Sequence, residues 1–394
     1  MFDAEFITNP YPIYTNLRTT APLHWTDSWR NGAWLVPRYA DAVAALHDQR
    51  LSSQRRLTVA FPSEIQLQLS ELEAICSRWM LFLDPPVHMR IRKLLHQAFS
   101  PQAVQRLVPR IQQRADTLLD QVAANGEMEF MADIAHPFPV LVIADLLGIP
   151  AEYQGKFQGW SDDFADFFGN PQPTSEIARQ AQASLIALTE YFGTLLPERR
   201  RRPGDDLVSL LLQLEGNDDL TEAELVAQCA LLLVAGHETT RNLLGNGLLA
   251  LLQHPHQWSL LKHNPSLIRS AVRELVRYNS PVQLTGRTVT QDFIWHGQHI
   301  QQGQSIIVLL GSANHDPEQF SHPERLDVAR DEGQPLSFGH GSHFCIGAML
   351  ATLEGEIAFA TVLKRMPNLE LLDDTPRWCA NVSFRGLTTL PLAW

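Results

Sequence analysis

Phe338-Gly339-His340-Gly341-Ser342-His343-Phe344-Cys345-Ile346-Gly347 is the stretch on which the reading of this chain turns. Two glycines precede the cysteine, one follows it, and a strongly helical segment runs on from Gly347 to Arg365. Glycine admits backbone conformations that other residues avoid, so the spacing predicts a tight loop folding back beneath a flat ligand. Cys345 then stands at the start of a helix, where free backbone N–H groups and the helix dipole favour a thiolate over a thiol. An anionic sulfur with donors around it suits the axial position of a haem iron. Taken alone, Cys345 would read as a structural thiol in a glycine-rich turn. Cys76, Cys229 and Cys379 are widely spaced and form no Cys-x-x-Cys pair, so at least three of the four cysteines read as ordinary buried thiols.

Upstream lies a long apolar pattern from Glu222 to His254, predicted to be a helix buried through the centre of the molecule. Ala235-Gly236-His237-Glu238-Thr239-Thr240 interrupts it with small and polar residues, a local conflict of the kind that marks function. A glycine and a threonine hydroxyl bonded back to a carbonyl predict a locally opened helix with a groove beside a ligand. An acid and a hydroxyl at adjacent positions can relay protons into it; the plainer alternative is a capped kink with a surface Glu. A zinc-protease motif would need a second histidine four residues after His237, and position 241 is Arg241. Glu274 and Arg277 stand on neighbouring helical turns, usually a surface pair of small energetic weight.

The remaining helical patterns cover roughly His88 to Phe99, Pro101 to Ala124, Ile134 to Leu147, Glu176 to Arg200 and Ser266 to Tyr278. Ser100, Thr221 and Asn264 read as N-terminal caps. Strands are predicted at Ala33 to Val36, Phe293 to Ile300 and Ser305 to Leu310. The 394 residues are 45% hydrophobic and 19% charged, a globular composition, and no Gly/Ser-rich linker or charge block divides them, so one domain over 1–394 is expected. A net charge of -12 disfavours nucleic acid as a partner. The basic run Arg199 to Arg202 reads as a solvated helix end. Neither a signal peptide nor an apolar run of about 20 residues is apparent, so a cytoplasmic protein with no membrane association is expected.

The ten residues around Cys345 resemble, without a gap, the cysteine-loop signature of the cytochrome P450 monooxygenases. The segment Ala235 to Thr240 is similar to the oxygen-binding helix of the same family, and the resemblance runs from Asn9-Pro10-Tyr11-Pro12 to Arg385-Gly386-Leu387. It implies a mainly α, triangular-prism fold with small β-sheets, holding haem b between the long central helix and the cysteine-loop helix. Cys345 would be the proximal iron ligand, with Phe338 and Gly339 beside it and Ala235 and Gly236 on the opposite face. Glu238 would be the acid and Thr239 the hydroxyl beside bound dioxygen. His88, Arg92, Arg287 and His343 match the family's propionate contacts. Glu274, Arg277 and a downstream Arg330 match a structural charge cluster. O2 would be the co-substrate, with electrons from NAD(P)H passing through a ferredoxin or flavodoxin and its reductase to a monomer. Mostly apolar candidates for the pocket, namely Trp79 to Leu83 with Phe82, Leu232, Val282 to Leu284, and Val382 to Phe384, imply a hydrophobic small molecule. A natural-product intermediate hydroxylated or epoxidised at an unactivated carbon would fit. The alternatives are a haem enzyme driven by peroxide or catalysing dehydration or reduction, and a non-enzymatic haem sensor or carrier.

Overall fold

The computed structural model describes residues 1–150, 153–214 and 220–394. Its axis is the helix Glu222–Gln253, 32 residues long. Thr221 starts it with a capping box: its hydroxyl accepts from the Glu224 N–H, and the Glu224 carboxylate accepts from the Thr221 N–H. From there almost every face is buried, because other helices surround it: Pro137–Leu147, Gln154–Gly169, Ser175–Arg201, Ile268–Tyr278 and Ala348–Arg365 all pack on it. Close packing dictates small residues at the crossings. A Cβ on Gly247 would come within 2.6 Å of the Phe359 ring on the helix Ala348–Arg365.

The largest sheet has five strands in the order His24–Thr26, Ala33–Val36, Ser305–Val308, Thr285–Val289, Leu51–Ser52. Ala33–Val36 and Ser305–Val308 run parallel and the other pairs antiparallel. This sheet places Arg287 opposite Ile306 in its fourth strand, facing the helical body. The predominance of helix with small sheets is as the sequence implies.

Several local expectations are corrected. The central helix is continuous through Ala235–Thr240, with no open turn. Thr239 Oγ1 donates to the Ala235 carbonyl at 2.9 Å, and this extra bond lies alongside the helical ladder without breaking it. Phe293 to Ile300 is not one strand but a hairpin, Phe293–Trp295 against Gln298–Ile300. His296 and Gly297 both take positive φ at its turn, the conformation of a tight two-residue connection. The strand expected over Ser305 to Leu310 stops at Val308, and Leu310 opens a short helix. Asn264 does not cap the following turn; its side chain donates back to the Leu260 carbonyl at the end of the preceding helix. In the basic run, Arg199 turns inward to pair with Asp206 at 2.9 Å.

Candidate active site

The cysteine loop is closed by backbone geometry. Gly339 and Gly341 have φ of 73° and 71°, the left-handed region that a side chain disfavours. Their turns let the Cys345 N–H donate to the Phe338 carbonyl at 2.8 Å. At Gly341 a Cβ would also press against Leu46 O and the His47 ring, both at 3.2 Å. Gly347 then caps the helix Ala348–Arg365. Protein crowds around Cys345, but its side chain is left exposed to a cavity of about 1240 Å³.

Burial pushes the Cys345 thiol above its ordinary range, while the Gly347 and Ala348 N–H groups and the Arg92 charge pull it back. The helix start therefore does not by itself yield the thiolate expected from the sequence, because removal from water acts more strongly. A metal cation at the sulfur would supply the missing charge, since a coordinated thiol is deprotonated outright. Cys76 and Cys229 are buried, whereas Cys379 is only half-buried.

Across the cavity the central helix presents Leu231, Leu232, Ala235, Gly236, Glu238 and Thr239. Ala235 and Gly236 leave the indentation that the sequence suggested, by small size and not by an opened turn. Glu238 is buried, and its Oε1 accepts from Arg241 at 2.6 Å and from Asn242 Nδ2 at 3.0 Å. Its Oε2 is buried without a partner among the described residues. Burial raises this carboxyl, and Arg241 opposes the rise. Arg241 also reaches Asp162 on the helix Gln154–Gly169 at 3.2 Å. Asp162 is raised by burial to about 7, with Arg241 again opposing. Asp162, His237 and Glu238 offer ligand atoms within 4.8 Å of one another. The Arg241 guanidinium already stands between the two carboxylates, so their negative charge is matched.

One edge of the cavity collects nitrogen donors. Arg92, Arg287 and His343 line it. Arg92 Nη2 donates to the Phe344 carbonyl at 2.6 Å, and Arg287 Nη1 to the Gly286 carbonyl at 2.8 Å. His343 Nε2 lies 3.0 Å from Ser53 Oγ, and burial followed by its cationic and imidazole neighbours pushes the ring down to about 3. His88 differs from expectation. It is fully buried behind His343, the rings stacked at 4.0 Å, and neither of its nitrogens has a partner among the described residues. Arg55, which the sequence reading passed over, lines the same cavity.

Glu274 sits at the centre of a buried cluster behind the loop. Arg277 donates to its two oxygens at 2.7 and 2.8 Å, and Arg330 Nε to Oε1 at 3.1 Å. Arg277 also donates to the carbonyls of Asn314 and Pro323. The structure thus brings together three residues spread over more than fifty positions. Unlike an exposed pair, such a cluster is costly to break, because each charge is stranded when a partner leaves.

Phe82, Leu232, Val282, Leu284 and Phe384 all line the cavity, Val282 and Phe384 through a β-bridge between their backbones. Val382 does not. It packs into a separate apolar cluster with Phe6 and Tyr14. A further acid, Glu354, lines the cavity from the helix Ala348–Arg365 and is held protonated by burial, well above the carboxylate range. A single acid among apolar neighbours carries no motif that would reveal it.

These residues fit an iron porphyrin. A thiol faces small residues across a mostly apolar space, and two arginines with a histidine edge it where two ring carboxylates would need partners. His88, buried with both nitrogens unpaired, is a polar group whose environment is incomplete without a further partner nearby.

A family model described as Cytochrome P450 matches residues 59–376. The polyketide biosynthesis cytochrome P450 PksS of Bacillus subtilis is 40% identical over 99% of this chain and 96% of its own length. The vitamin D(3) 25-hydroxylase of Pseudonocardia autotrophica is 39% identical over 100% of this chain and 95% of its own. Among solved structures, P450BioI in complex with hexadec-9Z-enoic acid ligated acyl carrier protein superposes with a TM-score of 0.93 at 37% identity, covering 100% of both chains.

Proposed function

Because this chain belongs to the cytochrome P450 family and is a monooxygenase of that kind, we propose that residues 1–394 form one haem domain in which Cys345 holds the iron and Glu238 and Thr239 supply protons. Hydroxylation is the activity its relatives' names record, and haem iron and O2 come with the family. The observation that carries the assignment of roles is that one cavity holds the Cys345 sulfur, the Glu238-Thr239 pair and the Arg92, Arg287, His343 edge.

When bound, haem supplies a thiolate-ligated iron that activates dioxygen for insertion of one oxygen atom. Gly339 and Gly341 hold Cys345 in place, and the Gly347 and Ala348 N–H groups moderate its charge. Arg92, Arg287 and His343, which line one edge of the cavity, would hold the ring carboxylates, and His88 backs His343. Glu238 Oε2 carries a proton toward Thr239 Oγ1. Arg241 and Asn242 pin Oε1, so only the free oxygen is available for that task. Asp162, side-chain exposure 37% and raised to about 7, takes protons from solvent near neutrality and passes charge changes to Glu238 through Arg241. Glu274, Arg277 and Arg330 hold the segments behind the loop and touch no reacting group.

The substrate fitting Phe82, Leu232, Val282, Leu284 and Phe384 is a lipophilic small molecule, and the names of the relatives, in polyketide biosynthesis and vitamin D(3) hydroxylation, support a natural-product skeleton. Electrons come from NAD(P)H through a ferredoxin or flavodoxin and its reductase, and the protein works as a cytoplasmic monomer. No helix among the described residues is long and apolar enough to cross a membrane. The test is the carbon monoxide difference spectrum of the reduced protein, wild type beside Cys345→Ser. A thiolate-type Soret band in the wild type alone is the expected outcome; identical spectra would remove Cys345 as ligand.

A further inference from the structure

Arg55 is a charged side chain with no hydrogen bond or ion pair among the described residues, and its Nε is fully buried. The residue is partly exposed, and it lines the cavity above Cys345. Its guanidinium lies over the Phe82 ring, 4.9 Å from the centroid, and over Phe168 at 5.5 Å, and both rings are cavity walls. Room for it is made by Gly286: a Cβ there would stand 2.8 Å from Arg55 Nη1. Glycine within a strand marks a place where another group must come close. Burial and the nearby Arg287 and Arg30 lower Arg55 to about 9, so it remains a cation at neutral pH.

The charges around the cavity do not balance without a further anion. Two ring carboxylates are matched in number by Arg92 and Arg287. The acids nearby are committed: Glu73 accepts from the Thr58 N–H and hydroxyl, both at 2.7 Å, Asp84 accepts from Ser52 and Ser53, Glu238 is paired with Arg241, and Glu354 is protonated. Arg30, the other cation on this wall, is turned to the Leu57 carbonyl and faces Glu73. Arg55 is left over, and an unpaired buried charge is costly until an anion reaches it.

We propose that Arg55 recognises a carboxylate at one end of the substrate, so that the molecule oxidised is an amphiphilic free acid whose apolar body lies along Phe82, Phe168, Leu232 and Phe384. The planar guanidinium donates to both carboxylate oxygens at once, and the aromatic rings beneath it keep water away and sharpen that interaction. This rests on the haem-pocket reading above and narrows it from any lipophile to one with an acid terminus.

The experiment titrates haem-loaded protein with dodecanoate, methyl dodecanoate and dodecanol, following the Soret shift on displacement of iron-bound water. Wild type is expected to bind the acid about ten-fold or more tightly than the ester or alcohol. In Arg55→Leu and Arg55→Gln that preference vanishes while haem content and the carbon monoxide spectrum stay as in wild type; Arg55→Lys retains part of it. Equal affinities for acid and ester in wild type, or a preference that survives both neutral variants, would overturn the proposal. So would loss of haem from both neutral variants with the acid preference intact in the loaded fraction, which would assign Arg55 to the cofactor. A failure of the haem-pocket reading looks different: the thiolate-type Soret band would then be missing from the wild type itself.

Discussion

At Thr239 a single hydroxyl has two claims on it. It donates to the Ala235 carbonyl at 2.9 Å, and it lines the cavity beside Glu238. Replacing it by Ala leaves the helix intact, since the bond it makes is additional to the ladder, and removes the group that would receive protons from Glu238. Thr239→Ala is therefore expected to fold and load haem normally while product formed per electron pair falls by about ten-fold or more, with hydrogen peroxide appearing instead. Measuring NAD(P)H consumed, peroxide and product together checks this, and unchanged coupling would mean that another group delivers the protons. Cys345, Glu238 and Thr239 were legible in the sequence because each sits in a contiguous run whose composition conflicts with its surroundings. Arg55, Asp162 and Glu354 were not, since each is remarkable only for its environment. Arg55 needs Gly286, more than two hundred residues away, to make space for it, and Asp162 gains meaning only when Arg241 reaches it.

Between elements, long-period patterns were the most readable. The central helix, Pro101–Val122 and Ser175–Arg201 lie within a few residues of where apolar spacing put them. Gln154–Gly169 shows no clean stripe in the sequence because it mixes Phe, Asp and Gly, yet it carries Phe168 to the cavity and Asp162 to Arg241. A turn decides the strand pattern near Phe293: the two left-handed residues at His296-Gly297 split one apparent strand into two. Glu274 shows the energetic side of this scale. It ties the helix Ile268–Tyr278 to the segment ending at Arg330, and also accepts from the Asp327 N–H at 3.0 Å. Glu274→Ala strands two buried guanidinium groups, for which a loss of about 3–5 kcal/mol is expected. The measurement is denaturant unfolding together with haem retention, and a loss under about 1 kcal/mol would show that the backbone carbonyls around Arg277 suffice without the acid.

Across the whole molecule, the two ends of the chain meet. Tyr11 donates to the Tyr278 carbonyl at 2.9 Å and Arg385 to the Ile7 carbonyl at 2.8 Å. His315 is buried at this junction, its ring 4.3 Å from that of Tyr11, facing Tyr278 and the cations Arg277, Arg18 and Arg330. Burial, followed by Arg277, pushes it down to about 3. An unfolded chain protonates this ring near pH 6.5 and the folded one does not, so its contribution to stability is full above about 6.5 and is lost as pH falls toward 3. His315→Gln removes that loss. Relative to wild type, the variant should therefore gain up to about 2 kcal/mol between pH 7 and pH 5, read as the difference between paired denaturation curves; a constant difference would place the ring's ordinary protonation inside the fold. A mainly helical architecture was visible from composition and period, but strand pairing was not, because nothing in Ala33–Val36 names a partner some 270 residues later. That pairing also sets a timetable. During synthesis the strand Ala33–Val36 waits, with its edge uncovered, until Ser305–Val308 has left the ribosome, and Cys345 emerges later still. Contacts of such long range close slowly and leave partly folded chains exposed to association. Nascent chains of this protein thus depend on protection until that strand has emerged, and cofactor capture waits for Cys345.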